Sequence, residues 1–316
     1  MITPEPLLSP ALRDLAAGFL AHGARAVLPR LADLSTCTAA ELDALPMLPF
    51  GSADFSRRLL RQQLDESTND SSRRADLVAH QLARVFAEPS VALPRAVHHP
   101  MCGPGRYAAA LATLGVRRYR GVDAAPAVVH HARRNCRRLA GYDFAVGEAT
   151  AEGSLPPAGV FDTVLLSYDA ANFLPPARRT RFTAALADRL PAGGQIIFDL
   201  RLREDGPAGF LDGRSVTRRA GGSLFGERDH LLLQEGVSRD GGAVLGHRFL
   251  AVRLQPPHRV SVFHSILWVP SLSEFTADLD AVGLTVTWVA QPFAGLSDPD
   301  LQAHLVVAVK NERGAP

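Results

Sequence analysis

The middle of the chain alternates short apolar runs with segments whose apolar residues recur at helical spacing. Short, nearly continuous apolar runs are typical of strands that are buried on both faces of a sheet. Strands that alternate with helices predict an α/β fold built around a parallel sheet. The predicted strands are Val91–Val97, Tyr119–Val122, Tyr142–Gly147, Phe161–Ser167 and Gln195–Leu200, and the predicted helices between them are Tyr107–Leu114, Ala127–Leu139 and Arg178–Leu190.

Different patterns flank this α/β stretch. Residues 1–90 carry apolar residues at helical spacing between polar loops, which predicts a helical cap. Residues 91–316 then form the sheet domain, and alternating strands with hairpin signals predict an antiparallel β insert at about 205–270. After the insert, the pattern predicts a helix at Ser273–Val282 and a closing antiparallel pair of strands at Leu284–Ala290 and His304–Lys310.

Composition and charge exclude several classes of function. The 316 residues are 47% hydrophobic and 21% charged, which is ordinary for a globular protein, and the net charge of +2 argues against a dedicated nucleic-acid surface. Cys37, Cys102 and Cys136 are scattered without a Cys-x-x-Cys pair, which disfavours a zinc site and suits the reducing cytoplasm. No apolar run is long enough to span a membrane, and no signal peptide is evident. We therefore expect a cytoplasmic protein with no metal, nucleic-acid or membrane partner; its oligomeric state is open.

The stretch with the clearest chemistry is the turn Cys102-Gly103-Pro104-Gly105, which follows the first strand and opens a helix. Glycines let the backbone approach a ligand closely, and Asp123, about 20 residues later at the end of the second strand, is placed to accept hydrogen bonds from a ribose. Gly103, Gly105 and Ala108 fit the Gly-x-Gly-x-x-Ala frame of a dinucleotide site. A second frame, acid-x-Gly-x-Gly-x-Gly, has only its last two glycines here, at Gly103 and Gly105. The turn alone leaves both frames open.

Several motifs together choose between the frames. They are Cys102-Gly103-Pro104-Gly105, Gly121-Val122-Asp123, Gly147-Glu148, Phe161-Asp162 with its strand, and Leu190-Pro191-Ala192-Gly193-Gly194. From Ala96 to Lys310 the chain resembles the class I methyltransferases that depend on S-adenosylmethionine (SAM). The resemblance implies a Rossmann-like class I methyltransferase sheet whose last strand runs opposite to the others. Members usually place an acid two residues before the first glycine position of the motif; here that residue is His99, and Met101 stands at the first glycine position itself.

The resemblance also implies a cofactor site. SAM is the expected cofactor, and the residues expected to contact it are Cys102, Gly103, Gly105, Tyr107, Asp123 and Glu148. The polar segment Asp65–Arg74 is either a plain helix–helix loop or a lid over the cofactor, in which case Arg73 would pair with the methionine carboxylate.

Three residues are candidates for catalysis. Tyr168 and Asn172 follow the fourth predicted strand, and loops at the carboxyl ends of parallel strands line the ligand crevice. We expect Tyr168 near the transfer centre and Asn172 as a group that orients the acceptor. His264, on a predicted strand of the insert, is a reserve candidate for a general base.

Four functions remain compatible with these features. The first is methyl transfer to a small molecule, as in specialised metabolism. The second is ring closure of SAM by its own amine, of the azetidine-2-carboxylate type, which releases methylthioadenosine. The third is SAM binding without catalysis, and the fourth is a nicotinamide-linked dehydrogenase. The Leu190–Gly194 turn and the reversed last strand favour the methyltransferase sheet over the dehydrogenase.

Overall fold

The computed structural model describes residues 9–206, 213–294 and 303–311. The helices are α1 Pro10–His22, α2 Ala24–Val27, α3 Ala39–Asp43, α4 Ala53–Gln63, α5 Ala75–Phe86, α6 Arg106–Thr113, α7 Pro126–Asn135, α8 Pro176–Arg189 and α9 Leu272–Asp280. The strands are β1 Ala96–Pro100, β2 Arg118–Asp123, β3 Tyr142–Val146, β4 Thr163–Leu166, β5 Gln195–Leu200, β6 Gly213–Arg219, β7 His230–Arg239, β8 Val244–Arg253, β9 Val260–Trp268, β10 Leu284–Ala290 and β11 His304–Lys310.

The chain forms two compact units. The first, called the insert unit, comprises residues 1–49 and 209–267, and the second, called the Rossmann unit, comprises residues 50–208 and 268–316. Each includes some residues outside the described ranges.

The Rossmann unit contains a seven-stranded sheet in the order β10-β11-β5-β4-β1-β2-β3. Strands β3, β2, β1, β4 and β5 are parallel, whereas β11 runs antiparallel to both β5 and β10. The predicted α/β class, with a reversed closing strand, is confirmed. Strands β1 and β4 are neighbours in the sheet although two strands separate them in sequence. The strand order therefore reverses beside β1, and the carboxyl ends of β1, β2 and β4 lie together at this point. Ligands bind at such reversal points in parallel sheets.

Both faces of this sheet are covered, which explains why β4, β5 and β11 are mostly apolar. In β5, Ile197 belongs to the core shared with α5, α6 and α7, while Ile196 and Phe198 belong to the core shared with α8 and α9. Alternate side chains of a strand point to opposite faces, so a run without polar breaks is needed to fill two cores.

The insert unit contains a four-stranded sheet in the order β6-β7-β8-β9, in which β7 pairs antiparallel with β6 and with β8. Helix α1 packs on this sheet through Leu12 and Phe19, which share a core with Leu231, Leu233 and Leu250. The predicted β insert is therefore present. Residues predicted as one cap over 1–90 are divided between the two units, since 1–49 belong to the insert unit and α4 and α5 to the Rossmann unit. A functional cap over 1–90 stays a prediction.

Within the described residues, no helix is long and apolar enough to cross a membrane.

Candidate functional site

The glycine turn between β1 and α6 is built from backbone conformations that few side chains tolerate. Gly103 and Gly105 have φ of +60° and +90°, and Met101 also adopts the left-handed region at +56°. A Cβ on Gly105 would lie 3.2 Å from the Cβ of Ala132 on α7. Glycine at 105 thus allows α7 to pack directly beneath the turn, and α6 begins at the next residue.

Asp123, at the end of β2, holds this turn from the side. Its Oδ2 accepts a hydrogen bond of 2.9 Å from the backbone N–H of Gly103, and its Oδ1 accepts one of 2.9 Å from Ala125. Burial raises the pKa of Asp123, the two backbone hydrogen bonds oppose that shift, and the nearby charge of Glu148 adds to it. Each carboxylate oxygen has a second lone pair, so Asp123 can still accept from a ligand.

The other predicted cofactor residues divide into exposed and buried groups. Glu148 is exposed just after β3. Cys102 is buried, with its Sγ 2.7 Å from where a Cβ on Gly121 would lie, and burial raises its pKa. Tyr107 is buried on α6; its hydroxyl donates to Gln81 Oε1 at 2.5 Å, and burial raises its pKa. Cys102 and Tyr107 therefore lie beneath the turn, in its packing.

His99, in the position where the family usually has an acid, is fully buried and neutral. Its Nδ1 lies 2.7 Å from the hydroxyl of Tyr119, and its Nε2 lies 2.9 Å from Oγ of Ser167. Burial, with a smaller contribution from His98, lowers the pKa of His99 to about 3. Both ring nitrogens have hydroxyl partners, so the tip of β1 carries no negative charge.

The carboxylate of this region lies instead at the end of β5. Asp199 is buried and forms an ion pair of 2.6 Å with Arg73. The guanidinium of Arg73 lies between two rings, with its Cζ 5.1 Å from the ring centroid of Tyr168 and 5.0 Å from that of Phe293. Burial is the largest single influence on the pKa of Arg73 and lowers it, but Asp199 and three weaker partners together outweigh burial, so the pKa of Arg73 is raised.

The segment Asp65–Arg74 between α4 and α5 is bound to the glycine turn and to the end of β4. Tyr168 donates its hydroxyl proton to the carbonyl oxygen of Asn69 at 2.6 Å. Arg106, the first residue of α6, donates to the carbonyl oxygen of Arg73 and forms an ion pair of 2.5 Å with Glu66. These contacts hold the segment against residues of the candidate site, and its role as a lid over the cofactor stays a prediction.

Asn172 is buried, and its amide binds only backbone groups. Its Nδ2 donates to the carbonyl oxygens of Arg201 at 3.0 Å and Trp268 at 3.1 Å, and its Oδ1 accepts from the N–H of Arg201 at 2.9 Å. These bonds join the loop after β4 to the chain after β5. They favour a structural role for Asn172, and its orienting of an acceptor stays a prediction.

His264 belongs to the insert unit, where both its ring nitrogens have partners. Nε2 accepts from Nε of Arg248 at 3.0 Å, so Nδ1 carries the proton and donates to the carbonyl oxygen of Pro46 at 3.0 Å. Burial lowers the pKa of His264. These bonds favour a structural role for His264, and its role as a base also stays a prediction.

The sequence interpretation missed three residues of this region as site residues: Asp199, Asp169 and Arg106. Asp199 ends a buried strand, which is the signal that singled out Asp123, but its partner Arg73 is 126 residues away and no local pattern connects them. Asp169 adjoins Tyr168 in the loop after β4, and only the backbone conformation distinguishes it.

Comparison with known proteins agrees with this geometry. A family model described as a methyltransferase domain matches residues 99–194, from the tip of β1 to the turn before β5. Residues 99–194 therefore match a methyltransferase family, which agrees with the predicted resemblance over these residues. SAM is the cofactor that class I methyltransferases use. A search of curated protein sequences gave no match.

Solved structures share the fold over most of the chain. They include the CcbJ methyltransferase from Streptomyces caelestis, with 14% identity, a TM-score of 0.58 and coverage of 83% of this chain and 99% of that chain. A SAM-dependent methyltransferase from Clostridium acetobutylicum has 12% identity, a TM-score of 0.56 and coverage of 82% and 98%. The sugar N-methyltransferase KedS8 from a Streptoalloteichus species has 21% identity, a TM-score of 0.53 and coverage of 89% and 99%. At these identities the likeness concerns the fold.

Proposed function

We propose that this chain transfers the methyl group of SAM to a small molecule, in specialised metabolism. The observation that carries the proposal is the glycine turn fastened to Asp123: one carboxylate orders Gly103 and Ala125 and keeps acceptor capacity for the ribose hydroxyls. KedS8 is described as a sugar N-methyltransferase, and a small-molecule acceptor for this chain is consistent with that relative. The free thiols of Cys37, Cys102 and Cys136 are consistent with a cytoplasmic protein.

The residues of the site fit the nucleoside part of SAM. We propose that Asp123 accepts the ribose hydroxyl protons, that Gly103 and Gly105 let the backbone approach the cofactor, and that exposed Glu148 accepts from the adenine amino group. In this proposal Cys102 and Tyr107 support the glycine turn by packing beneath it and form no hydrogen bonds to the cofactor.

Arg73 is the candidate residue for binding the methionine end of SAM. Its Nη2 is bound to Asp199, while its Nε is buried and has no hydrogen-bond partner among the described residues. An unsatisfied buried donor is costly, so it is a natural place for an acceptor group of a ligand. We propose that this edge of Arg73 faces the carboxylate of SAM.

SAM supplies a methyl group on a positively charged sulfur, so the protein has to align the acceptor and exclude water. The ring of Tyr168 already contacts the guanidinium of Arg73, and its hydroxyl binds Asn69. We therefore propose that Tyr168 acts by fixing Arg73 and closing the segment 65–74, which keeps bulk water from the reaction.

The test is to incubate the full chain with SAM and a mixture of small amines and alcohols, and to measure products by mass spectrometry. S-adenosylhomocysteine that accumulates with a methylated acceptor is the expected result. An inactive chain that nevertheless binds SAM in calorimetry would reduce the proposal to binding alone, and a chain that does not bind SAM would overturn it.

Ring closure of SAM is a second candidate, and one observation favours it. With a neutral His99 at the tip of β1, no carboxylate there holds the α-amine of SAM as an ammonium group, so that amine is freer to act as a nucleophile. Incubation with SAM alone separates the candidates: methylthioadenosine would indicate ring closure, whereas methyl transfer yields no product without an acceptor.

A further inference from the structure

The loop after β4 contains an unusual double turn. Tyr168 and Asp169 both have φ of +56°, the left-handed region that side chains other than glycine seldom adopt. Two bonds to Asp199 hold this conformation: its Oδ2 accepts from the N–H of Tyr168 at 2.9 Å, and its carbonyl oxygen accepts from the N–H of Asp169 at 2.9 Å. Strained backbone that its surroundings enforce is characteristic of functional sites.

The double turn does not serve helix capping. Asp169 precedes the short 3₁₀ helix Ala170–Phe173, where an aspartate commonly accepts from the first free N–H groups, yet its side chain makes no capping bond. The carboxylate is about one-fifth exposed, and its Oδ2 lies 4.0 Å from Nε of Arg201. The turn therefore places this carboxylate at the carboxyl end of β4, where ligands bind in such sheets.

Charged groups near Asp169 include Arg201 and Arg73, and Asp199 accepts from its backbone N–H. Asp199 is fully buried against Arg73 at 2.6 Å, whereas Asp169 is partly exposed and lies 4.0 Å from Arg201. Asp169 is thus the partly exposed acid of this group, and a cation that approaches the end of β4 meets its charge.

Two buried groups of the domain are unsuited to removing a proton from a hydroxyl. The buried His99 has both nitrogens occupied and a pKa of about 3, and the pKa of Tyr107 is raised by burial. An alcohol holds its proton about as tightly as water does, so a carboxylate cannot remove that proton effectively. A carboxylate does suit an ammonium group, which it attracts and from which it can accept a proton.

We propose that the acceptor is an amine and that Asp169 binds it and takes its proton. This inference rests on the proposed methyl transfer. The acceptor arrives as R–NH₃⁺ and gives one proton to Asp169. The nitrogen lone pair of R–NH₂ then forms the bond to the methyl carbon, the C–S bond breaks, and its electron pair stays on sulfur. The products are R–NH₂–CH₃⁺ and neutral S-adenosylhomocysteine, and Asp169 releases its proton to water.

The experiment uses the full chain with trideuteromethyl-SAM and pairs of small molecules that differ in one group, such as 2-amino-2-deoxyglucose and glucose, together with a small-molecule extract of an actinomycete culture. Fragmentation in the mass spectrometer locates the label. Label on nitrogen supports the proposal, and label on oxygen or carbon overturns it while leaving methyl transfer intact. If no molecule acquires label, methyl transfer itself fails, and the inference fails with it.

The residue is tested by Asp169→Asn, with the exposed Asp280→Asn as a matched control. Asparagine tolerates the left-handed region and keeps the size of the side chain, so we expect SAM affinity in calorimetry to change less than about twofold. Formation of the N-methyl product should fall at least about 50-fold at pH 7, and the deficit should shrink toward pH 9, where more of the amine is already free. Asp280→Asn should behave as wild type. A folded Asp169→Asn variant with normal turnover, or with a deficit that is independent of pH, would overturn the role of Asp169.

Discussion

The packing of α7 beneath the glycine turn can be tested with two glycines at opposite ends of α6. Gly105 precedes the helix with φ of +90°, and Gly115 follows it with φ of +88°. A Cβ on Gly105 would meet Ala132 at 3.2 Å, whereas a Cβ on Gly115 would meet no atom within 4 Å. The two positions thus have nearly the same φ and differ in the space for a side chain.

The expected costs follow from this difference. Alanine in the left-handed region costs about 1–2 kcal/mol, which applies to both Gly105→Ala and Gly115→Ala. Crowding of a packed site adds about 1–3 kcal/mol, which applies to Gly105→Ala alone. We therefore expect Gly115→Ala to lower the free energy of unfolding by about 1–2 kcal/mol, and Gly105→Ala to lower it by about 2–5 kcal/mol.

Urea unfolding of the full chain, followed by circular dichroism without SAM, measures both costs. Calorimetry with SAM adds a second readout, because a turn displaced from α7 should bind the cofactor more weakly in Gly105→Ala and normally in Gly115→Ala. Equal losses of stability in the two variants, with equal SAM affinities, would refute the claim that close packing under Gly105 shapes the turn.

Three further predictions concern the buried polar groups. Asn172→Ala should lower the free energy of unfolding by about 2–4 kcal/mol, because it removes three hydrogen bonds and leaves buried backbone groups unpaired; a urea midpoint equal to wild type would contradict the structural role. Arg73→Leu should lower the free energy of unfolding by about 3–5 kcal/mol, because it leaves the buried charge of Asp199 without its partner. The double variant Arg73→Leu with Asp199→Leu should recover part of that loss, which a double-mutant cycle in urea can measure. His99 has a pKa near 6.5 in the unfolded chain but of about 3 in the folded chain, so its contribution to the free energy of unfolding is fully present above pH 6.5 and decreases as the pH falls below that value. The variant His99→Gln should therefore reduce the dependence of the free energy of unfolding on pH by about 1.4 kcal/mol per pH unit between pH 6 and 4. An unchanged pH dependence in urea titrations would argue against a neutral His99.

Elements with strong local patterns were predictable from the sequence. Strands β5, β10 and β11 have the predicted bounds, because their apolar runs end at sharp turns such as that of Gly193 and Gly194. Strand β1 begins at Ala96 rather than Val91, since Pro94 interrupts the run, although Val91 is still buried in the core. Strand β6 was missed because its sequence, Gly-Arg-Ser-Val-Thr-Arg-Arg, is mostly polar.

Features that depend on distant parts of the chain were not predictable. Phe19 and Leu231 belong to one core although they are more than 200 positions apart in the sequence. The apolar spacing of α1 shows that one face of the helix is buried, but it does not show which part of the chain that face packs against. Helix α5 begins only after Arg74, because Ser71, with φ of +62°, belongs to the preceding loop, where Gln63 donates to its carbonyl oxygen at 3.2 Å. The same holds for the site, where Asp123 was evident from its spacing, but the pairing of Arg73 with Asp199 needed the folded chain.

The most direct test of the central claim is calorimetric titration of SAM into the full chain, its Asp123→Ala variant and an exposed control, Glu152→Gln. We expect one SAM per chain, and binding weakened by roughly 1.5–3 kcal/mol in Asp123→Ala through loss of charge-assisted bonds to the ribose, with Glu152→Gln unchanged. Circular dichroism checks that the variants are folded. Absence of SAM binding by the wild-type chain, or full affinity in a folded Asp123→Ala variant, would contradict the account.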